Sequence, residues 1–192
     1  VNTISCPPHV GRGLHLMVDG EDDVLLRRLA VGDEAAFTLL YDRFAARLFR
    51  TAWALTGSRE EAEDAVQEVF VALVHVGPRL SQVNDLPAYL FTALRRTALR
   101  RHTRRIRRPT QSLADVDVPA RDIVGERDEK LEHALAALPD EQREVIVLKV
   151  DGGLTFAELG QVLNISANTA ASRYRYALEK LRTALEGPHG TA

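Results

Sequence analysis

The sequence predicts an all-α protein: two small helical domains joined by a flexible linker, the C-terminal one containing a helix-turn-helix. Three observations point there. Apolar residues recur at steps of three and four from Asp22 to Leu185, no stretch shows the strict alternation of a strand, and capping residues stand before several periodic runs. A proline-bearing stretch without apolar periodicity, residues 109–125, divides the helical text in two. The expected boundaries are a disordered leader at 1–20, a helical domain at 21–108, a linker at 109–125, a helix-turn-helix domain at 126–186 and a tail at 187–192.

The leader holds Pro7, Pro8, Gly11, Gly13 and Gly20 and no periodic pattern. Its Cys6, His9 and His15 lack a metal-ligand spacing and a fourth partner, so neither a metal nor another cofactor is expected. Met17 is the sole methionine and helical text begins just after it, which leaves Met17 and Val1 both open as the natural start. One cysteine permits no internal disulfide and fits a reducing cytoplasm. No apolar run reaches the roughly 20 residues that cross a bilayer, so membrane insertion is not expected.

The helices follow in order. Val24, Leu25, Leu26, Leu29 and Ala30 form a short amphipathic segment stopped at Gly32. Asp33 caps a longer helix with Phe37, Leu40, Tyr41, Phe44, Leu48, Ala52 and Leu55 on one face, closed by Gly57. Ser58 and Glu61 have capping-box spacing, and Ala62, Ala65, Val66, Val69, Phe70, Leu73 and Val74 line the next helix to Gly77-Pro78. A fourth helix starts after Asp85, with Pro87 in its first turn, and stops by Pro109. Beyond the linker, helices are expected at 126–137, 140–150, 155–163 and 167–185. Thr155 and Glu158 form a second capping box, Asn164 suits a left-handed turn residue and Ser166 caps the last helix.

Charge is unevenly spread. No acidic residue lies between Asp85 and Asp115, while Arg95, Arg96, Arg100, Arg101, Arg104, Arg105, Arg107 and Arg108 fall inside that window. The rest of the chain carries 17 basic against 27 acidic residues, a net of −10 beneath an overall −2. A basic stripe on an acidic body suits phosphate, which the planar guanidinium fork matches. A solvated helix end is the plainer reading of the same stripe.

The last two helices, short then long across a tight turn, describe a helix-turn-helix. Ala157, Leu159, Leu163 and Ile165, with Ala170, Tyr174, Ala177 and Leu181, form its expected packing side. Ser166, Asn168, Thr169, Ser172, Arg173 and Arg175 stand at the start of the second helix, where side chains reach base edges and phosphates. A helical hairpin with a polar surface is the alternative. Catalysis has little support: the histidines are scattered, no nucleophile has a partnered base, and no glycine-rich phosphate loop occurs, so no small-molecule substrate is expected.

Several of these segments resemble the extracytoplasmic-function (ECF) sigma factors of the sigma-70 family. Leu154-Thr155-Phe156-Ala157-Glu158-Leu159-Gly160, Leu163 through Thr169, Ser172-Arg173 and Glu179-Lys180-Leu181-Arg182 resemble that family's DNA-reading end. Leu138-Pro139 with Gln142-Arg143-Glu144-Val145 resembles the helix that opens the same domain. Upstream, Asp33-Glu34-Ala35-Ala36-Phe37, Tyr41 and Phe44 resemble the family's first helix, and Asp64-Ala65-Val66-Gln67-Glu68-Val69-Phe70 resembles the segment that grips the clamp helices of RNA polymerase. The motifs run in family order from about Asp22 to Leu185, which is more specific than any one of them.

The resemblance implies a transcription initiation factor whose partners are core RNA polymerase, promoter DNA and, as in many family members, an anti-sigma factor. Asp64, Gln67, Glu68 and Phe70 would contact polymerase, although Phe70 also reads as a core residue. Tyr89 would stack on an unpaired minus-ten base, with Arg95, Arg96, Arg100, Arg101, Arg104 and Arg105 on phosphates. Extruding a base costs a few kcal/mol, which stacking worth roughly 1–3 kcal/mol per base helps to offset. Ser166, Asn168, Thr169, Ser172, Arg173 and Arg175 would read the minus-thirty-five element, and the acidic linker would thread the enzyme's nucleic-acid path. The chain departs from the family at Tyr89 (commonly tryptophan), at Arg96 (commonly asparagine) and at Arg175-Tyr176-Ala177-Leu178, where alternating arginines are usual; base preference at both elements is what those departures unsettle. A helix-turn-helix regulator that never joins polymerase is the alternative function.

Overall fold

A computed structural model describes residues 19–107 and 129–186. The described residues form eight α-helices and one 3₁₀ turn, with no strand among them: α1 Asp19–Ala30, α2 Glu34–Thr56, α3 Arg59–Val76, a 3₁₀ turn Gly77–Gln82, α4 Leu86–Arg107, α5 Glu129–Ala136, α6 Asp140–Val150, α7 Phe156–Leu163 and α8 Ala167–Glu186. Residues 1–18 of the leader expected at 1–20, the linker and the tail lie outside the described residues, as does the question of the natural start; Asp19 and Gly20, expected in the leader, open α1 instead.

The caps explain the boundaries. The Asp33 carboxylate accepts from the amides of Ala35 and Ala36 at 3.0 and 3.3 Å, and Gly57 ends α2 in the left-handed conformation. Ser58 accepts from the Glu61 amide at 3.3 Å, but the reciprocal half of that expected box is missing. The Ser58 amide turns to the Thr56 hydroxyl instead, so one half of the motif suffices to start α3. Asp85 starts α4 by accepting from the Ala88 amide at 2.8 Å.

α1 to α4 enclose a core in which Leu40, Phe44, Leu48, Leu73, Leu90, Phe91 and Leu94 are fully buried. The 3₁₀ turn, where only a helix end was expected, inserts Leu80 into that core. Three residues assigned to apolar faces fall elsewhere: Tyr41 is 57% exposed, Val74 is 60% exposed, and Leu55 is half-buried. Tyr41 covers Phe70 with ring centroids 5.1 Å apart, so both roles considered for Phe70 stay physically open in a half-buried side chain.

The C-terminal helices do not stand apart. Val145, Leu148, Leu154, Leu159, Val162 and Ala170 continue the N-terminal core as one cluster, with α7 lying on α4. A second, small cluster of Ala134, Leu138, Ile146, Ala177 and Leu181 holds α5 and α6 to α8. Because α7 packs on two sides, its buried positions are Leu159, Gly160 and Val162, while Ala157, expected on the packing side, is exposed.

Candidate nucleic-acid and partner interface

Local sequence sets the helix-turn-helix tightly. Thr155 Oγ1 accepts from the Glu158 amide at 3.2 Å and the Glu158 carboxylate accepts from the Thr155 amide at 2.5 Å, completing the box. Asn164 takes φ 56°, a left-handed turn that its short amide tolerates. Ser166 Oγ accepts from the Thr169 amide at 3.0 Å and lies 2.8 Å from the Thr169 hydroxyl. Ser166 and Thr169 therefore shape the start of α8 before they touch anything else. Gly160 lets the turn close: a Cβ there would sit 2.8 Å from the Ile165 carbonyl oxygen and 3.2 Å from the Ala167 amide.

Asn168, Ser172 and Arg175 lie at four- and three-residue steps on α8, so they share one face. Asn168 and Arg175 are exposed and Ser172 is half-exposed. Arg173 pairs with Glu141 of α6 at 2.6 Å, and the Arg175 guanidinium lies 5.3 Å from the Tyr176 ring centre.

Two groups of residues expected to serve different partners meet in one seam between α3 and α4. Arg101 reaches Asp64 at 2.8 Å and Glu68 at 3.4 Å, and Arg100 pairs with Glu68. Gln67 of α3 and Arg96 of α4 are exposed. These side chains are between 27% and 51% exposed, so each pair is worth at most about 1 kcal/mol and is readily exchanged for another partner. Arg95 stands apart, turned to Glu144 of α6 at 2.5 and 3.1 Å. Tyr89 is half-buried against the core and is engaged within the fold. Arg104 and Arg105 lie on the last turns of α4, but their side chains fall outside the described residues.

The comparisons with known proteins decide the family. Sigma-70 region 2 matches residues 40–108 and sigma-70 region 4 matches residues 134–183. An ECF RNA polymerase sigma factor of Mycobacterium tuberculosis, SigK, is 32% identical over 178 residues, covering 85% of this chain and 93% of its own.

The chain belongs to the ECF sigma factors of the sigma-70 family.

A second mycobacterial relative, the ECF sigma factor SigL, is 32% identical over 164 residues, covering 82% of this chain and 93% of its own. Among solved structures, CnrH in complex with the cytosolic domain of CnrY is 26% identical, with a TM-score of 0.63, covering 86% of this chain and 97% of that one. The sigma factor RpoE of Bartonella quintana, solved with the anti-sigma factor NepR, shares the fold at 23% identity and a TM-score of 0.59 over 81% of this chain and 98% of that one.

In this ECF sigma factor the residues that sequence reasoning missed join its two halves. Arg47 of α2 donates through Nε and Nη2 to the Gly152 carbonyl at 2.9 and 2.5 Å. Its guanidinium lies 5.2 Å from the Phe44 ring centre and 5.6 Å from that of Phe91, and burial holds its pKa below the ordinary arginine value. Gln161 Nε2 donates to the Asp85 carboxylate at 2.9 Å, and burial pushes the Asp85 pKa up, against the hydrogen bonds that lower it. The Gly152-Gly153 pair was the only signal in the sequence for this junction. Gly153 takes φ 63°, and a Cβ on Gly152 would meet Leu148 O at 2.5 Å and Phe91 at 3.0 Å.

Proposed function

We propose that the chain binds core RNA polymerase and directs it to promoters, α3 contributing the main polymerase contact and α4 and the helix-turn-helix engaging DNA. The observation that carries the reading is the presence, in order on one chain, of sigma-70 region 2 over residues 40–108 and region 4 over residues 134–183. A helix-turn-helix regulator acting alone has no need of the first.

Asp64, Gln67 and Glu68, one helical turn from end to end, offer two carboxylates and an amide to a basic partner helix, with Phe70 beside them. Arg96, Arg100, Arg101, Arg104 and Arg105 line the phosphate path of the minus-ten strand; Arg95 joins them once released from Glu144, and Tyr89 stacks on the unpaired base. On α8, Asn168, Ser172, Arg173 and Arg175 read the minus-thirty-five element from a start fixed by Ser166 and Thr169. The chain works without catalysis or a cofactor, in the cytoplasm where polymerase is found; among the described residues no helix is long and apolar enough to cross a membrane. A restraining anti-sigma protein is the proposed third partner, supported by the CnrH relative, which was solved with the cytosolic domain of CnrY.

Co-purification with core polymerase tests the reading. The wild-type chain is expected to be retained, and a folded Gln67→Ala/Glu68→Ala variant to lose at least most of that retention. Equal retention of both would remove the α3 patch from the polymerase interface, and no retention of either would favour the solitary regulator.

A further inference from the structure

We propose that base choice at the minus-thirty-five element is made by two side chains of α8, Asn168 selecting an adenine and Arg175 a guanine about three base pairs away. The inference rests on the function proposed above and adds the class of sequence that its helix-turn-helix takes. It follows from how the fold divides the polar residues around the start of α8.

Three of those six residues are engaged within the protein. Ser166 accepts from the Thr169 amide and lies 2.8 Å from the Thr169 hydroxyl, so both are spent on starting the helix. Arg173 Nη2 lies 2.6 Å from Glu141 Oε2, and the arginine side chain is only 28% exposed. At about 100° per residue, Arg173 stands roughly 140° round the helix from Asn168, on the flank turned to α6. It is left to a phosphate at the edge of the groove.

Asn168, Ser172 and Arg175 remain. They fall within about 60° of one another, while the buried Ala170, Ala177 and Leu181 lie roughly 180–220° from Asn168. The three side chains therefore point away from the protein. Among the described residues none of them is taken by a hydrogen bond or an ion pair, and the Arg175 guanidinium rests 5.3 Å from the Tyr176 ring centre.

Hydrogen-bonding capacity assigns the bases. The Asn168 amide carries the donor and acceptor that match N7 and N6 of adenine, and the Arg175 fork matches O6 and N7 of guanine. The Ser172 hydroxyl donates or accepts equally well, so it adds affinity without choosing. Seven residues of helix advance about 10.5 Å, the rise of about three base pairs at roughly 3.4 Å each. Glu179 is exposed one turn beyond Arg175 on the same face, and its carboxylate repels phosphate, so the reading surface ends there.

The test begins with random-sequence duplex DNA, from which fragments bound by the full-length chain are selected, once alone and once joined to core polymerase. The recovered motif should hold an A·T and a G·C pair about two to four base pairs apart. Affinities for that site and for each single-base mismatch then follow by fluorescence anisotropy. Either mismatch should weaken wild-type binding by about five- to 150-fold. Asn168→Ala should erase the loss at the A·T pair alone, and Arg175→Ala the loss at the G·C pair alone. Arg173→Ala should weaken all three duplexes alike, with helix content by circular dichroism unchanged in every variant. The proposal is overturned if no shared motif is recovered in either selection, or if neither Asn168→Ala nor Arg175→Ala relaxes its own position. Relaxation of a single base by Arg173→Ala overturns it equally. A motif recovered as described by a chain that never directs polymerase to a start site would sink the proposed function and leave the base assignment standing.

Discussion

Arg95 and Glu144 meet fork to fork across the junction of the two halves, Nε and Nη2 of the guanidinium donating to the two carboxylate oxygens at 2.5 and 3.1 Å. The pair joins α4, the proposed minus-ten helix, to α6 of the helix-turn-helix domain. Its exposure places it between a surface ion pair, worth up to about 1 kcal/mol, and a buried one, whose breaking costs about 3–5 kcal/mol.

Glu144→Ala should therefore lower the stability of the whole chain by about 1–2 kcal/mol, between those two limits. Urea denaturation at neutral pH measures it. An unchanged midpoint would mean that the two halves are not coupled through this pair.

Two aspartates should give the chain opposing pH responses. Burial raises the Asp85 pKa, so its contribution to folding is complete below the ordinary value of 3.8 and is lost as pH rises through the raised value. The side-chain hydrogen bond from Arg28, aided by the amides of Ala36 and Ala35, lowers the Asp33 pKa; its contribution is present above 3.8 and is lost as pH falls through the lowered value. Asp85→Asn keeps an oxygen for the Ala88 amide and removes the buried charge beside Glu158 and Asp22. Melting temperatures measured upward from about pH 4, close to the ordinary carboxylate values, should fall less with rising pH in the variant than in the wild type. Parallel curves would contradict the assignment.

The turn of the helix-turn-helix should tolerate little. Gly160→Ala drives a methyl group against the Ile165 carbonyl oxygen and the Ala167 amide, both backbone atoms, and should cost about 1–3 kcal/mol by overpacking. Asn164→Gly should be nearly neutral in thermal denaturation, whereas Asn164→Ala should lose about 1 kcal/mol at φ 56°. A wild-type melting curve for Gly160→Ala would show that the turn can relax.

Much of this was legible in the sequence because it is local. The caps at Asp33, Thr155 and Ser166, the left-handed Asn164 and the steps of three and four that bury Leu40, Phe44 and Leu48 act within one or two turns of helix. The reading slipped where a helix meets more than one neighbour. Ala157 and Val162 exchanged places because α7 packs against both α8 and α4, and Leu80 was overlooked because a 3₁₀ turn has too few residues to show a period. The candidate interface was legible as two residue sets, α3 carboxylates and α4 arginines, but not as one seam. Arg101 to Asp64 spans 37 positions and Arg47 to Gly152 spans 105, distances over which no periodicity carries information.

The arginine run from Arg104 to Arg108 should register in salt. Replacing Arg104, Arg105, Arg107 and Arg108 together with glutamine should flatten the dependence of log affinity for DNA on log salt, by about 0.7–0.9 for each phosphate no longer neutralised. An unchanged slope would show that this run does not touch DNA.

Run-off transcription with purified core polymerase on a library of genomic fragments tests the central claim most directly. The purified full-length chain should direct initiation at a discrete set of start sites that share sequence at two positions about 25 base pairs apart, the separation expected if both DNA-reading helices engage one promoter. A folded chain, free of any restraining partner, that yields no start site beyond those of core polymerase alone would contradict it.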